Sequence, residues 1–490
     1  MKTLTKVTSP DLDALRPYKA AHDHIEGHAG EYIEEVRRFL RIPGFSDTGE
    51  GIRKSAEAAL DYVKLPGAAE AEIVETEGHP VVYGKLLSKN PKAKTILVYC
   101  LYDQTPVDPA EWTVPPLGGE IIDPRRLGLP AEVGSIICNR ATYNHRGPMT
   151  SFLLALQTMK EIEGDIPVNV VCVWEGEEEI GSPSLPGFVE RYRDKLRGCD
   201  AMYMPFMQQS WEGPMTIWRG FKGGLLLELE CKGGEWGGTV DGRHTWAGHA
   251  PWVDAPMMRL IHAVGSLFDA DHNIAVEGVN ELITPLNAED REQIDILRKT
   301  WTPHDDEMFK AAIAVSKFRG GKSSAELLER WVSSVSINVQ GVVGGYMGPT
   351  FYTLLPQKAV AKLDVRLPPG ATKEKVLELI RRHLDRRGFT EIQIGSQGGY
   401  HGHRTPTDHW IIQAGIKAAA LHGVPTVLWP NSNGFCPASM FGRAPLNLPS
   451  SFHGFGHGDR PHQPDEYIQV EAIPRYMLYT VTYLHELAKA

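Results

Sequence analysis

Long apolar runs, paired cysteines and a surplus of basic side chains are all missing from this chain of 490 residues. No stretch of about 18 consecutive apolar residues occurs, so a membrane-spanning helix is not expected. The six cysteines form no CxxC pair, which argues against a structural zinc site and a disulfide framework. The net charge of -10 argues against a nucleic-acid or anionic membrane partner. The N-terminal segment lacks an apolar secretory core, so we expect a cytoplasmic location.

Buried strands alternate with helices in the first part of the chain. The short apolar runs at residues 95–100 and 169–174 are typical of strands that are covered on both faces. Apolar residues at helical spacing predict helices at residues 31–41 and 147–162. This alternation predicts an α/β fold with a mostly parallel sheet.

The pattern changes after residue 214 and returns after residue 397. Between these points the sequence predicts the elements of a small α+β domain, with strands at 225–231, 336–342, 359–367 and 391–395 and helices at 255–268 and 373–387. We therefore predict a first α/β domain made of residues 1–214 and 398–490, and an inserted domain of residues 215–397.

Four motifs spread over the chain resemble those of one enzyme family. They are VYCLYDQTPVDPAEW at 98–112, NRATYNHRGP at 139–148, WEGEEEIGS at 174–182 and FGHGDRPHQPDE at 455–466. In this order they resemble the motifs of the carnosinase, aminoacylase and succinyl-diaminopimelate desuccinylase family of co-catalytic zinc peptidases, the MH clan. The resemblance implies that the first α/β domain is catalytic. It also implies that the inserted domain is a ferredoxin-like lid, through which two chains form a homodimer.

The resemblance implies a metal pair as well, but several ligand positions hold other residues. The first ligand His, the bridging Asp and the second ligand Asp fall on Leu101, Asn144 and Phe206. Glu179 and His462 match retained ligands. Two hydrocarbon side chains and a neutral amide are poor substitutes for an imidazole and two carboxylates. We therefore expect no intact binuclear site, and either no cofactor or a single divalent cation, zinc or manganese, at Glu179 and His462.

The catalytic and substrate-binding positions are better retained. The resemblance implies that Glu178 is the general base, that Asp103 is an orienting carboxylate, and that His244 of the lid stabilises the oxyanion in the partner subunit's site. The planar guanidinium of Arg366 suits a substrate carboxylate. His145 and Arg146 follow the bridging position and replace an acid and a lysine of the family pattern, so their more positive charge suits an anionic substrate group. We expect a small, anionic substrate, bound by Arg366, Thr353, Asn144, His145, Arg146 and Phe435.

Three functions remain open from the sequence. The first is a hydrolase of an amide bond in a small carboxylate-bearing substrate, of the dipeptidase or deacylase kind, with at most one metal ion retained. The second is a metal-independent hydrolase, lyase or isomerase on the same scaffold, with Glu178 as acid and base. The third is a non-catalytic protein that binds a small molecule.

Two groups of reactive side chains have no assigned role. Cys100 stands beside a replaced ligand position and could form a nucleophile pair with His145, although a buried cysteine is more often inert packing. Four histidines in glycine-rich loops either line the pocket or lie on the surface, namely His401, His403, His453 and His457.

Overall fold

The structure is a computed structural model that describes residues 7–210, 213–313 and 315–490. Its largest element is an eight-stranded sheet in the order Glu70–Val74, Val81–Leu86, Asn169–Glu175, Thr95–Leu101, Ala201–Pro205, Ser450–His453, Met215–Trp218 and Thr426–Trp429. Thr95–Leu101 lies parallel to both neighbouring strands and is buried after its first residue. An apolar strand is expected to be buried in this way when helices cover both faces of the sheet. The predicted α/β class with a large, mostly parallel sheet is confirmed.

Helices cover the large sheet with their apolar faces. Gly147–Ile162 is buried along most of its length and packs against the C-terminal helix Ala472–Lys489. Pro148 stands in the first turn, where a missing N–H breaks no helical hydrogen bond. The α-helices of the described chain are Leu12–Leu15, Lys19–Gly27, Ala29–Leu40, Ile52–Lys64, Gly147–Ile162, Leu185–Arg191, Arg193–Leu196, Pro256–Ser266, Ala288–Thr300, Pro303–Ala312, Ser324–Ser333, Lys373–Arg386, Trp410–Leu421 and Ala472–Lys489.

A second, smaller sheet forms in the middle part of the chain. Its main strands pair antiparallel in the order Ser336–Val343, Lys358–Leu367, Gly220–Lys232 and Gln393–Tyr400, and the short strands His403–Arg404 and Ser432–Phe435 join the start of Gly220–Lys232. Leu225, Leu227 and Leu229 point to one face, where they share a core with residues of the helices Pro256–Ser266 and Lys373–Arg386. Because side chains alternate along a strand, the even-numbered residues of Gly220–Lys232 point to the other face of the sheet.

The chain leaves the large sheet later than the sequence indicates. Met215–Trp218 pairs with Thr426–Trp429 at one edge of the large sheet, and Gly220–Lys232 begins two residues further on. The predicted strand at 336–342 is Ser336–Val343, an edge strand that is exposed along nearly its whole length. Within the described ranges no helix has the length and hydrophobicity needed to cross a bilayer.

Two small sheets complete the fold. Thr245–Trp246 pairs with Leu354–Leu355, and a four-stranded sheet consists of Gly458–Asp459, Tyr467–Gln469, Ile136–Cys138 and Glu120–Ile122. In the latter, Tyr467 lies opposite Cys138. This pairing brings the loop after residue 138 beside the C-terminal motif at 455–466, although more than 300 residues separate them.

Candidate active site

The carboxyl ends of two parallel strands bring the acidic loops together. Thr95–Leu101 and Asn169–Glu175 pair in register, so the residues that follow them meet at the same edge of the sheet. The backbone N–H of Glu179 donates to a carboxylate oxygen of Asp103 at 3.0 Å. Because Asp103 is fully buried, this contact fixes the loop that carries both Glu178 and Glu179.

A third loop is held by Glu466, which the sequence pattern left without a role. Its carboxylate accepts the backbone N–H groups of Ala141 at 3.0 Å, Tyr143 at 2.9 Å and Asn144 at 2.8 Å, and the Arg140 guanidinium at 3.0 Å. These four donors compensate a fully buried charge. The sequence signal for this role is that Glu466 is the last residue of the motif at 455–466.

Asn144, Glu179 and His462 form one polar cluster. The amide nitrogen of Asn144 lies 3.0 Å from Glu179 Oε1 and 2.9 Å from His462 Nε2. His462 Nε2 also lies 3.0 Å from Glu179 Oε2. The Glu179 side chain is 4% exposed and that of His462 is 55% exposed, so the cluster opens to solvent on the histidine side. The structure thus brings these three predicted residues together, with each side chain in contact with the other two.

Three carboxyl groups crowd this end of the sheet. Burial raises the pKa of Asp103 to about 6. Burial, followed by the charges of Glu179 and Asp103, raises the pKa of Glu178 well above its usual range. The pKa of Glu179 is also raised, again mainly by burial and then by Asp103. Neighbouring carboxylates disfavour each other's charged form, so this site attracts a proton or a cation.

Hydrocarbon side chains stand at two positions for which the sequence resemblance implies metal ligands. Leu101 and Phe206 are both buried and belong to one apolar cluster. The Phe206 ring meets His145 edge-on, with 4.8 Å between centroids, and Trp218 in the same manner at 5.6 Å. An aromatic ring enclosed by two others cannot be replaced by a hydrated ion without repacking. Phe206 therefore packs as part of an apolar cluster next to His145.

His145 and Arg146 lie inside the protein and do not line the cleft as the sequence predicts. Both side chains are fully buried. The Arg146 guanidinium donates to the Tyr102 carbonyl at 2.9 Å and to Ser55 Oγ at 2.8 Å, so it holds neighbouring loops together. Burial lowers the pKa of His145 to about 3, which keeps its ring neutral. Neither side chain is therefore accessible to an anionic substrate group.

Cys100 and the four loop histidines are held by other groups of the protein. Cys100 is fully buried in the apolar core, and burial raises the pKa of its thiol, which is the opposite of an activated nucleophile. His453 is fully buried, with Nδ1 2.9 Å from the hydroxyl of Tyr479. The remaining loop histidines contact protein groups too: His403 contacts Ser450, His401 contacts Glu374, and His457 contacts Tyr467.

The residues that the sequence analysis assigns to a lid divide into two groups. Arg366 lies with its guanidinium carbon 5.5 Å from the centre of the Phe435 ring and pairs with Asp364 at 2.7 Å. His244 and Thr353 lie on the exposed surface of the small sheets. His244 Nδ1 accepts the N–H of residue 357 at 3.1 Å, and the Thr353 carbonyl accepts that of residue 247 at 3.1 Å. These contacts connect the segments at residues 244–247 and 353–357.

Comparison with known proteins identifies relatives over most of the chain. Beta-Ala-His dipeptidase of Homo sapiens is 26% identical over 385 residues, which cover 74% of this chain and 70% of that protein. Cys-Gly metallodipeptidase dug1 of Schizosaccharomyces pombe is 22% identical and covers 95% of this chain and 98% of its own length.

The fold also matches a solved structure. The M20 family metallo-carboxypeptidase Sso-CP2 of Sulfolobus solfataricus superposes with a TM-score of 0.82 at 29% identity, covering 94% of this chain and all of that one. The predicted resemblance and the prediction of an enzyme are confirmed. Because the model of peptidase family M20/M25/M40 matches residues 132–486, the chain belongs to that family.

Proposed function

We propose that this chain hydrolyses an amide bond in a small, carboxylate-bearing substrate such as a dipeptide, with Glu178 as general base and acid. The observation that carries the proposal is the meeting of Asp103, Glu178 and Glu179 with His462 at the carboxyl end of the parallel sheet. Two relatives are named as dipeptidases, which supports peptide-bond cleavage as the reaction.

The residues of this cleft do not fit the metal pair of the family. Relatives are named as a metallodipeptidase and a metallo-carboxypeptidase. Here Leu101 and Phe206 put hydrocarbon at two ligand positions, and Asn144 places an amide at the bridging one. Only Glu179 and His462 remain, and one carboxylate with one imidazole provides for one ion at most. No step of the proposed reaction is therefore assigned to a pair of ions.

The chain's own residues supply the proton transfers. Glu178 removes a proton from water as its oxygen attacks the carbonyl carbon, and the proton then passes to the departing amine nitrogen as the C–N bond breaks. Positioned proton transfer of this kind contributes roughly 10²- to 10⁴-fold to a rate. Arg366 binds the substrate carboxylate and holds the amide at Glu178, and the lid of the partner subunit supplies His244 to the developing oxyanion.

The exposed surface of the lid supports a homodimer. Large apolar side chains cluster there: Trp246 is 62% exposed, Trp252 is 86% exposed, and Met347, Phe351 and Tyr352 are exposed as well. The edge strand Ser336–Val343 also leaves unpaired backbone groups along one side. An apolar surface of this kind next to an open edge favours association with a second copy.

Two further elements of the proposal concern organisation and location. The division into a catalytic domain and an inserted lid is supported by the separate apolar cores of the two sheets. A cytoplasmic location is supported by the cysteines, all six of which are unpaired and buried.

A metal-independent reaction is the second candidate, favoured by one contact. The Asn144 amide nitrogen lies within hydrogen-bond distance of both Glu179 and His462, so it can join them where a cation joins such ligands in a metal site. Glu178 then acts without any ion, as a hydrolase, lyase or isomerase. Loss of all chemistry, with ligand binding retained, is the remaining alternative.

The first experiment combines metal analysis with a chelator test. Protein purified without a metal-affinity column is assayed for bound zinc and manganese by mass spectrometry, and dipeptide hydrolysis is measured with and without chelator. About one ion per chain, with activity lost in chelator, supports hydrolysis at Glu179 and His462. Activity without metal identifies the second candidate. Activity that survives in Glu178→Gln contradicts both assignments of the base.

A further inference from the structure

Lys222 is a buried lysine that has no counter-anion among the described residues. Its residue surface is 1% exposed, and its ammonium donates to the carbonyl of Ser334 at 2.8 Å. In the described ranges no carboxylate lies within ion-pair distance of it. Burial, and then the charge of Arg366, lowers the pKa of Lys222 to about 7. A buried charge left uncompensated is costly, so a group of this kind marks a candidate binding site.

Lys222 and Arg366 lie on the same face of the lid sheet. Arg366 is registered opposite Gly224 on the neighbouring strand, and Lys222 precedes Gly224 by two residues. Side chains two residues apart share a face, so the two cations are diagonal neighbours across the strands. The opposite face carries Leu225 and its apolar neighbours, which pack against the helices. The two cations therefore point away from the lid core.

An aromatic pair connects this face to the catalytic loop. The Phe435 ring packs so closely on Gly224 that an added Cβ would collide with the ring. Tyr400 stacks on Phe435 with 5.0 Å between centroids and donates its hydroxyl to the carbonyl of Gly181. Gly181 is two residues beyond Glu179, so the cations of the lid border the same cleft as the acidic loop.

We propose that Lys222 and Arg366 form a two-cation subsite that selects substrates whose leaving residue carries a second carboxylate beside its terminal one. A C-terminal aspartate or glutamate has this chemistry. Asp364 pairs with Arg366 at 2.7 Å and partly neutralises it, whereas Lys222 has no acidic partner in the described chain and receives one from the substrate. The inference rests on the proposed amide hydrolysis and names its substrate class.

The test compares alanyl-glutamate with alanyl-glutamine, which have the same size and differ in a side-chain carboxylate against a neutral amide. We expect kcat/KM of the wild-type enzyme to be at least about 30-fold higher for alanyl-glutamate, because truncating one partner of a buried charge pair has at least that effect. Lys222→Met brings the ratio close to one. The control Lys232→Met, an exposed lysine at the far end of the same strand, retains the preference. An unchanged ratio in Lys222→Met overturns the inference.

Two further measurements distinguish a substrate subsite from a purely structural role of Lys222. The Lys222 side chain also caps the last turn of Ser324–Ser333. If its role is only structural, Lys222→Met lowers the melting temperature and reduces kcat/KM for both substrates equally. That result contradicts the inference. Calorimetric binding of free glutamate and glutamine tests the subsite without catalysis. If the protein cleaves no dipeptide but binds glutamate, and Lys222→Gln weakens that binding, the subsite is retained and the proposed reaction is refuted. Equal binding of glutamate and glutamine refutes the subsite.

Discussion

The polar cluster makes a direct prediction for the variant Asn144→Asp. The substitution keeps the shape of the side chain and replaces a hydrogen-bond donor by a carboxylate. The present amide nitrogen lies 3.0 Å from Glu179 Oε1 and 2.9 Å from His462 Nε2. The variant therefore places two carboxylates and an imidazole around one point, which is a donor set that divalent zinc accepts.

The magnitude follows from the distance between the carboxylates. Two charged oxygens about 3 Å apart repel each other by about 5.5 kcal/mol at an effective dielectric constant near 20. This value is a ceiling on the electrostatic part of the loss of stability in chelator, because protonation of either carboxyl group relieves the repulsion. A bound cation relieves it as well. Zinc at 100 times its dissociation constant stabilises the folded variant by about 2.7 kcal/mol.

The assay is thermal unfolding in chelator and in zinc, together with metal content after dialysis. We expect Asn144→Asp to melt below the wild-type protein in chelator and to regain stability with zinc, and we expect wild-type protein to change little. Asn90→Asp is the matched control, because Asn90 is exposed and the substitution adds the same charge at the surface. Its melting temperature should not depend on zinc.

Two results would refute this reasoning. If Asn144→Asp is as stable as the wild-type protein in chelator and gains nothing from zinc, the three side chains do not surround a common point. If wild-type protein binds two ions per chain, Leu101 and Phe206 do not prevent formation of the metal pair, and the proposed loss of that pair is wrong.

Three other predictions follow from buried charges and from the lid. Asp290→Asn leaves the buried guanidinium of Arg219 without its partner, and urea denaturation should show a loss of about 3–5 kcal/mol in the free energy of unfolding. Burial lowers the pKa of His453 from 6.5 to about 3. The stability that this neutral ring contributes above pH 6.5 is therefore lost as the pH falls towards 3, and the loss amounts to about 5 kcal/mol. Denaturation of His453→Gln at a series of pH values should show a shallower loss. His244→Ala should abolish dipeptide hydrolysis, and random mixed dimers with Glu178→Gln should regain about a quarter of it.

Each of these predictions has a control. Asp295→Asn removes an exposed carboxylate from the same helix as Asp290, and it should change the free energy of unfolding by less than about 1 kcal/mol. His262→Gln replaces an exposed histidine and should leave the acid dependence unchanged. Mixed dimers in which both chains carry Glu178→Gln should remain inactive. Recovery in that sample would contradict assembly of the site from two chains.

Periodicity predicted most elements because it reflects which face of a segment is buried. Residues 147–162 form a helix with the predicted bounds, and the apolar run at 95–100 is the strand Thr95–Leu101. The predicted strand at 225–231 is longer, Gly220–Lys232, because its first residues are glycine-rich and carry no alternation. Its pairing with four other strands fixes those residues as a strand.

The candidate site was predictable only where a motif identifies the residue directly. Glu179, His462 and Asn144 belong to three separate motifs and meet in one cluster. Arg146 lies in a motif as well, yet its side chain turns inward, because carbonyls of adjacent loops leave acceptors there that only a long cation reaches. The direction of a side chain depends on such partners, and its own motif does not contain them.

The sequence by itself determined the class of the fold and the family, and it is the source of the prediction that Leu101, Asn144 and Phe206 replace metal ligands. Those conclusions rest on residue types in order along the chain. Only the tertiary structure decided that Glu466 holds the loop at Asn144, and that Lys222 is buried beside another cation. The physical reason is that burial and charge compensation are set by partners from distant segments, which come together only when the chain has folded.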